Sequence, residues 1–251
     1  MRGFFTLFRK EMLRFWKVSF QTLLAPLVST LLYLLVFAQV MSGRSEIYPG
    51  ISYREFLVPG LAMMAMLQNA FSNTSSSMVQ SKITGNIVFV LLTPLRPIEM
   101  FGAYVMAAMV RGMAVGTCVW LVSLLFFPRL PAHPLELLAF ALLGNLLAAV
   151  LGLIAGIWAE KFDQMAAFQN FLIVPLTFLA GVFYSIHGLP PFWRDVSRFN
   201  PFLYMIDGFR HGFFGVSDVA PLDSLLIVGL SAFALSWLTL VLISRGWRLR
   251  H

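Results

Sequence analysis

Charge of either sign is scarce in this sequence, and cysteine is almost absent. Asp, Glu, Lys and Arg make up 12% of the 251 residues, against about 25% in a typical soluble domain. So large a deficit excludes an ordinary water-soluble fold. The single cysteine, Cys118, stands inside an apolar run. No intrachain disulfide and no cysteine-based metal site can form, and the redox compartment cannot be read from it. No G-x-x-x-x-G-K-[ST] run occurs, so the chain has no P-loop for ATP. Neither H-E-x-x-H nor G-x-S-x-G occurs, and no convincing convergent catalytic group stands out. The carboxylates Glu99, Glu136, Glu160, Asp163 and Asp223 fall at the ends of apolar stretches or in loops. A proton-coupled carrier needs acids near the middle of the membrane.

What is present is apolar: 59% of the residues are hydrophobic. Six long intervals hold no Asp, Glu, Lys or Arg: 18–43, 56–81, 112–128, 137–159, 164–193 and 224–244. Each approaches or exceeds the roughly 20 residues that cross a bilayer. In lipid the backbone must satisfy its own hydrogen bonds, so each interval is expected to be a helix. The fold class expected is an all-α membrane protein with six transmembrane helices, forming one domain over residues 1–251. The N-terminal segment MRGFFTLFRKEMLRFWK keeps its charges through Lys17 and has no small-residue cleavage site, unlike a signal peptide.

The net charge of +7 raises the question of nucleic acid, yet the basic residues flank apolar runs, which points to membrane topology and not to nucleic acid. Arg2, Arg9, Lys10, Arg14 and Lys17 precede the first interval, and Arg245, Arg248 and Arg250 follow the last. Six spans put both basic ends on one side, which the positive-inside rule makes the cytoplasm. Lys82, Arg96 and Lys161 fall in the other inside loops. Arg44, Arg54, Arg129, Arg194, Arg198 and Arg210 fall outside, largely offset by acids.

Residues 1–19 read as an interfacial amphipathic helix: Phe4, Phe8, Met12 and Phe15 share one face, and Lys10, Arg14 and Lys17 another. A plain positive-inside anchor is the other reading, and the two are compatible. The inside loop 82–99 contains the apolar run Ile87 to Leu92 ahead of Thr93-Pro94, which ends any helix there. A short apolar helix at this surface is either a docking element for a cytoplasmic subunit or a segment resting on the membrane. Residues 186–215 are too charged to span and dense in aromatics. Pro190-Pro191 and Asn200-Pro201 divide them into two short outer helices expected to dip into the membrane.

Within the spans, Asn69, Asn73, Ser76 and Gln80 form one polar stripe. It lines a translocation path or pairs amides and hydroxyls between helices. Gly152 and Gly156 have the spacing of a close helix contact. Arg111 is intramembrane if its helix begins near Met100; if the span begins at Gly112 it snorkels to the surface. Asp207, Arg210 and His211 share a helix face, as a gate or as an ion pair holding the helix.

FLVPGLAMMAM, GNIVFVLLTPLRPIEM, and FLAGVFYSIHGLPPFW followed by NPFLYMIDGFRHGFFG together resemble the ABC-2 type transporter permease family, the membrane subunit of bacterial ABC exporters. The resemblance covers nearly the whole chain. It implies a subunit that pairs with a second copy of itself in the bacterial inner membrane and docks on a separate cytoplasmic ABC ATPase. No cofactor is expected on this chain, ATP and Mg belonging to that partner. It also implies a coupling helix, carried onto Gly85, Asn86, Ile87, Leu91, Leu92, Thr93 and Pro94. Family members often place acids just after the Gly-x-Ile portion. Here Val88, Phe89 and Val90 stand there, so the docking contact is expected to be mainly apolar, or to use Glu99. Two alternatives remain: an ATPase-independent channel or carrier, and a membrane-embedded enzyme acting on lipid or glycan. The exported substrate is not readable.

Overall fold

The computed structural model describes residues 2–40 and 47–248, so Arg44 and Arg250 lie outside the described residues. Helix α1 runs from Arg2 to Lys17, α2 from Ser19 to Val40, α3 from Tyr53 to Ile83 and α4 from Asn86 to Leu92. Helix α5 covers Pro97–Leu124 and α6 Pro134–Trp158. Next come α7, Phe162–Phe168, a π-helical turn at Gln169–Ile173, and α8, Val174–Phe178. The outer segment forms α9, Pro191–Arg198, and α10, Pro201–Phe214, before α11, Pro221–Arg245. No strand occurs among the described residues; one isolated bridge joins Tyr48 and Ile51.

The helix boundaries follow from local chemistry. Ser52 caps α3 in a reciprocal box: its Oγ accepts from Glu55 N, and Ser52 N donates to Glu55 Oε2 at 3.0 Å. Pro97, Pro134, Pro191, Pro201 and Pro221 open their helices, where a missing N–H costs nothing and the fixed φ fits. Asn200 Oδ1 accepts from Phe202 N at 3.0 Å, and Gly215, in the left-handed conformation, ends α10.

Four described helices are long and apolar enough to cross a membrane: Ser19–Phe37, Pro97–Leu124, Pro134–Trp158 and Pro221–Arg245. The other two expected spans differ for physical reasons. Helix α3 has 31 residues, but its polar stripe dilutes its hydropathy. The interval 164–193 stays helical only to Phe178; from Leu179 the chain turns, and Gly181 has φ +74°. Pro175 lacks the N–H that an α-turn needs, and the π-turn just before it absorbs the ring.

Helix α3 is the axis of the bundle. Packed against α5, α6, α10 and α2, it buries almost its whole surface. Gly152 and Gly156 of α6 make this possible: a Cβ on Gly152 would collide with the Phe71 carbonyl and Thr74 Oγ1. Thr74 Oγ1 donates to Ala149 O at 2.7 Å across that contact. The outward faces of α2 and α11 carry Leu32, Leu35, Leu230, Phe233 and Trp237 exposed. Apolar bands of this extent are unsuited to water and suited to lipid.

Loops gather at two ends. One holds α1, α4, Lys82, which donates to Ile157 O and Ala159 O, and Arg248, which donates to Trp158 O at 3.1 Å. The opposite end holds Tyr48, Arg129 beside Glu55, and the 185–219 segment. The aromatics of that segment divide. Phe192, Trp193 and Phe199 are exposed as the sequence suggests, whereas Phe202, Phe209 and Phe213 are core residues of α10. Packing of α10 against α6, α3 and α11 outweighs interfacial preference there.

Candidate functional site

A cavity of about 760 Å³ opens between the end of α1, α2, α3, the middle of α5 and the π-turn. Its walls are predominantly polar although they belong to apolar helices. Gln21, Ser29 and Thr30 come from α2, Asn69, Ser72 and Ser76 from α3, and Gln169 from the π-turn. Ser72 Oγ donates to Gln169 Oε1 at 3.2 Å, tying that turn to the stripe.

The cations enter from two elements. Because α5 is unbroken from Pro97, Arg111 sits at its middle. It donates to Asn69 Oδ1 at 3.2 Å and to Asn73 Oδ1 at 3.3 Å. Arg14 arrives from α1. It donates to the same Asn73 Oδ1 at 2.9 Å, to Asn73 O at 2.8 Å and to Ser76 Oγ at 3.2 Å. The stripe of α3 thus lines the cavity at Asn69 and Ser76, and Asn69, Asn73 and Ser76 join α3 to α5 and α1 through Arg111 and Arg14.

Sequence reasoning missed Glu11. Its side chain is 0% exposed. Ser77 Oγ donates to its Oε2 at 2.7 Å, and Arg14 Nε and Lys10 Nζ lie 3.1 and 3.0 Å from its two oxygens. The signal was available: Leu7, Glu11 and Phe15 repeat at four residues, and all three are buried. An acid at the centre of an inward apolar face implies a partner across the interface. Helix α1 therefore packs on α5 and reaches α3, with Phe4 against Gly102.

Asp207 and Arg210 lie apart from this cavity, at the opposite end. Both are buried. The Asp207 carboxylate accepts from Asp218 N and Val219 N at 2.9 Å each. Arg210 donates to Gly181 O at 2.7 Å, and its guanidinium stands 3.8 Å from the Phe56 ring centre. His211 turns away to Glu136, 2.6 Å distant. Asp218, also missed, accepts from Tyr48 Oη, Ser185 Oγ and Ile186 N. Burial pushes the Tyr48 phenol well above its ordinary pKa, so it remains protonated as the donor.

The segment Gly85 to Pro94 forms a short helix at the other end of the bundle. Gly85 has φ +71°, a left-handed turn that lets α4 leave the line of α3. Asn86 opens α4 on its exposed side, and Ile87 is buried. Leu91 is half-buried, whereas Phe89 and Leu92 are 70% and 77% exposed. Thr93 Oγ1 donates to Val90 O at 2.6 Å, closing the helix before Pro94. An apolar groove of about 500 Å³ separates α4 from α1, with Leu7 on one wall and Phe89 and Pro94 on the other.

Residues 2–214 match the ABC-2 type transporter family. The chain is 37% identical over 246 residues to the inner membrane transport permease YadH of Escherichia coli K12, covering 97% of this chain and 96% of that one. It is 30% identical over 217 residues to nodulation protein J of Rhizobium leguminosarum bv. trifolii, covering 80% and 78%. It is 24% identical over 220 residues to the capsule polysaccharide export inner-membrane protein BexB of Haemophilus influenzae, covering 87% and 79%. With its all-helical fold and apolar spans, the chain belongs to the ABC-2 type transporter family.

Proposed function

We propose that this chain is the membrane subunit of an ATP-driven exporter, forming the path and taking its energy from a separate cytoplasmic ABC ATPase. The observation that carries the reading is α4: a seven-residue helix at the basic end of the bundle that leaves Phe89 and Leu92 exposed. Apolar side chains presented together on a short surface helix favour a protein partner. In this reading Gly85, Asn86, Ile87, Leu91, Leu92, Thr93 and Pro94 are the coupling element, and the contact is apolar because Val88, Phe89 and Val90 replace acids. ATP and Mg are held by the partner. Motion of α4 reaches the cavity through α1, since Gly3 abuts Leu95 at one end of α1 and Arg14 enters the cavity at the other.

The same proposal places the chain in the bacterial inner membrane as one domain with six spans, α3 and the 162–178 helix being the fourfold set's two additions. Support comes from the relatives' descriptions and from α1 and α11, which meet the membrane from the same end of the bundle. That basic end is cytoplasmic, and α1 lies along its surface. A second copy completes the path, with Asn69, Ser76 and Arg111 lining it and the buried Asn73 holding Arg14 and Arg111 in place. The Asp207–Arg210 pair holds the outer helix against Phe56 and Gly181.

The test is affinity purification of the tagged full chain in mild detergent, with co-purifying subunits identified by mass spectrometry. A stoichiometric P-loop ATPase is expected. Leu92→Asp and Phe89→Asp should each abolish most of the permease-dependent ATPase activity and leave membrane insertion unchanged. No ATPase after crosslinking in native membranes, or parental coupling in both variants, refutes the proposal.

A further inference from the structure

We infer that the polar cavity binds an oxyanion, a phosphate or carboxylate group, between Arg14 and Arg111; as a statement about cargo this rests on the transport reading above. Two guanidiniums from different helices donate to one neutral oxygen, Asn73 Oδ1. An amide oxygen offers no compensating charge, and like charges held this close repel unless an anion joins them. Glu11 does not supply it to both. It pairs with Arg14 Nε and is already shared with Lys10 and Ser77. Arg111 has no carboxylate partner among the described residues, and its buried Nε has no acceptor.

The rest of the wall points the same way. Among the described residues no carboxylate lines the cavity, and the groups facing the two arginines from α2, α3 and the π-turn are amides and hydroxyls. An arginine fork matches the planar geometry of phosphate or carboxylate oxygens. An intramembrane cation without a fixed counter-charge is costly, and is functional by default. The volume exceeds what a lone oxyanion fills. Met64, Ala65, Ala25 and Pro26 line the remainder, which fits the apolar part of an amphipathic molecule carrying the anionic group.

The experiment uses the purified full chain in neutral detergent without any ATPase, and equilibrium dialysis with radiolabelled inorganic phosphate at constant ionic strength in chloride. Saturable phosphate binding is expected, and Arg111→Gln should weaken it at least about tenfold, the loss expected for a hydrogen bond to a charged group. Glutamine removes the charge and the guanidinium fork but keeps a polar side chain of similar stem, so a site that does not use Arg111 would keep the parental phosphate affinity. Should Arg111→Gln fail to fold, phenylglyoxal labelling of the parental chain replaces it: phosphate should protect Arg111, as read by peptide mass mapping. Absence of saturable binding, parental affinity in Arg111→Gln, or labelling of Arg111 unaffected by phosphate overturns the inference. In nanodiscs of phosphatidylcholine with and without phosphatidylglycerol, loss of bound phosphate to phosphatidylglycerol assigns the site to a lipid headgroup. Unchanged phosphate binding assigns it to a water-borne anion. Both keep the oxyanion site. A missing ATPase partner would defeat the exporter reading alone, because this binding is measured without one.

Discussion

Removing the Glu11 carboxylate should loosen α1 from the bundle. In Glu11→Ala, Ser77 Oγ loses its acceptor at 2.7 Å and Arg14 Nε loses its acceptor at 3.1 Å. The Lys10 pair adds little, because Lys10 is 44% exposed. Arg14 retains Asn73 and Ser76, which keeps the cost below that of a fully orphaned buried charge. A hydrogen bond to a charged group is worth about 1.5–3 kcal/mol, so a loss of about 2–3 kcal/mol is expected. In a chain of this size that lowers Tm by about 4–12 °C. The assay is tryptophan-fluorescence melting of purified protein, with trypsin cleavage at Lys10 and Arg14 as a local report. Ser77→Ala should cost less, and the double variant should fall short of the sum by at least about 1 kcal/mol. Strict additivity, or a Glu11→Ala Tm within about 1 °C of the parent, would refute the buried coupling of α1 to α3.

Three further outcomes follow from the packing. Gly152→Leu should destabilise the chain by about 3 kcal/mol or more, because α6 must retreat from Phe71 and Thr74; the monodisperse fraction on gel filtration reports it. Arg210→Met should cost about 3–5 kcal/mol by leaving the buried Asp207 carboxylate without its cation. Adding Asp207→Asn to that variant should raise its melting temperature again, since the uncompensated charge disappears.

Much of the fold was legible because membrane segments announce themselves by what they exclude. Charge-free intervals located α2, α6 and α11 but only the C-terminal half of α5, and Pro190-Pro191 and Asn200-Pro201 located the starts of α9 and α10 within a residue. The limits were set by rules that do not depend on charge. The interval 164–193 carries no acid or base, yet its helix stops at Phe178, where Gly181 takes a left-handed conformation. Likewise an aromatic-rich segment reads alike whether its rings face lipid or core. Only contacts with α6 and α3 separate Phe209 from Phe199.

The candidate site was half legible for a related reason. Asn69, Asn73 and Ser76 stand on one helix, so spacing alone puts them on one face. Arg111 stood out as a charge in an apolar run, but its meaning depended on where α5 begins, and Pro97 as an opening residue decides that. Glu11 and Arg14 belong to a segment that also reads as a surface anchor. The repeat of Leu7, Glu11 and Phe15 turns Glu11 inward, but nothing in it names Ser77 as the partner or has Arg14 share an oxygen with Arg111. That convergence exists only once α1 has folded back on α3 and α5. It turns two ordinary basic residues into a concentrated positive site, and so it is a property of tertiary packing that periodicity in any one helix cannot carry.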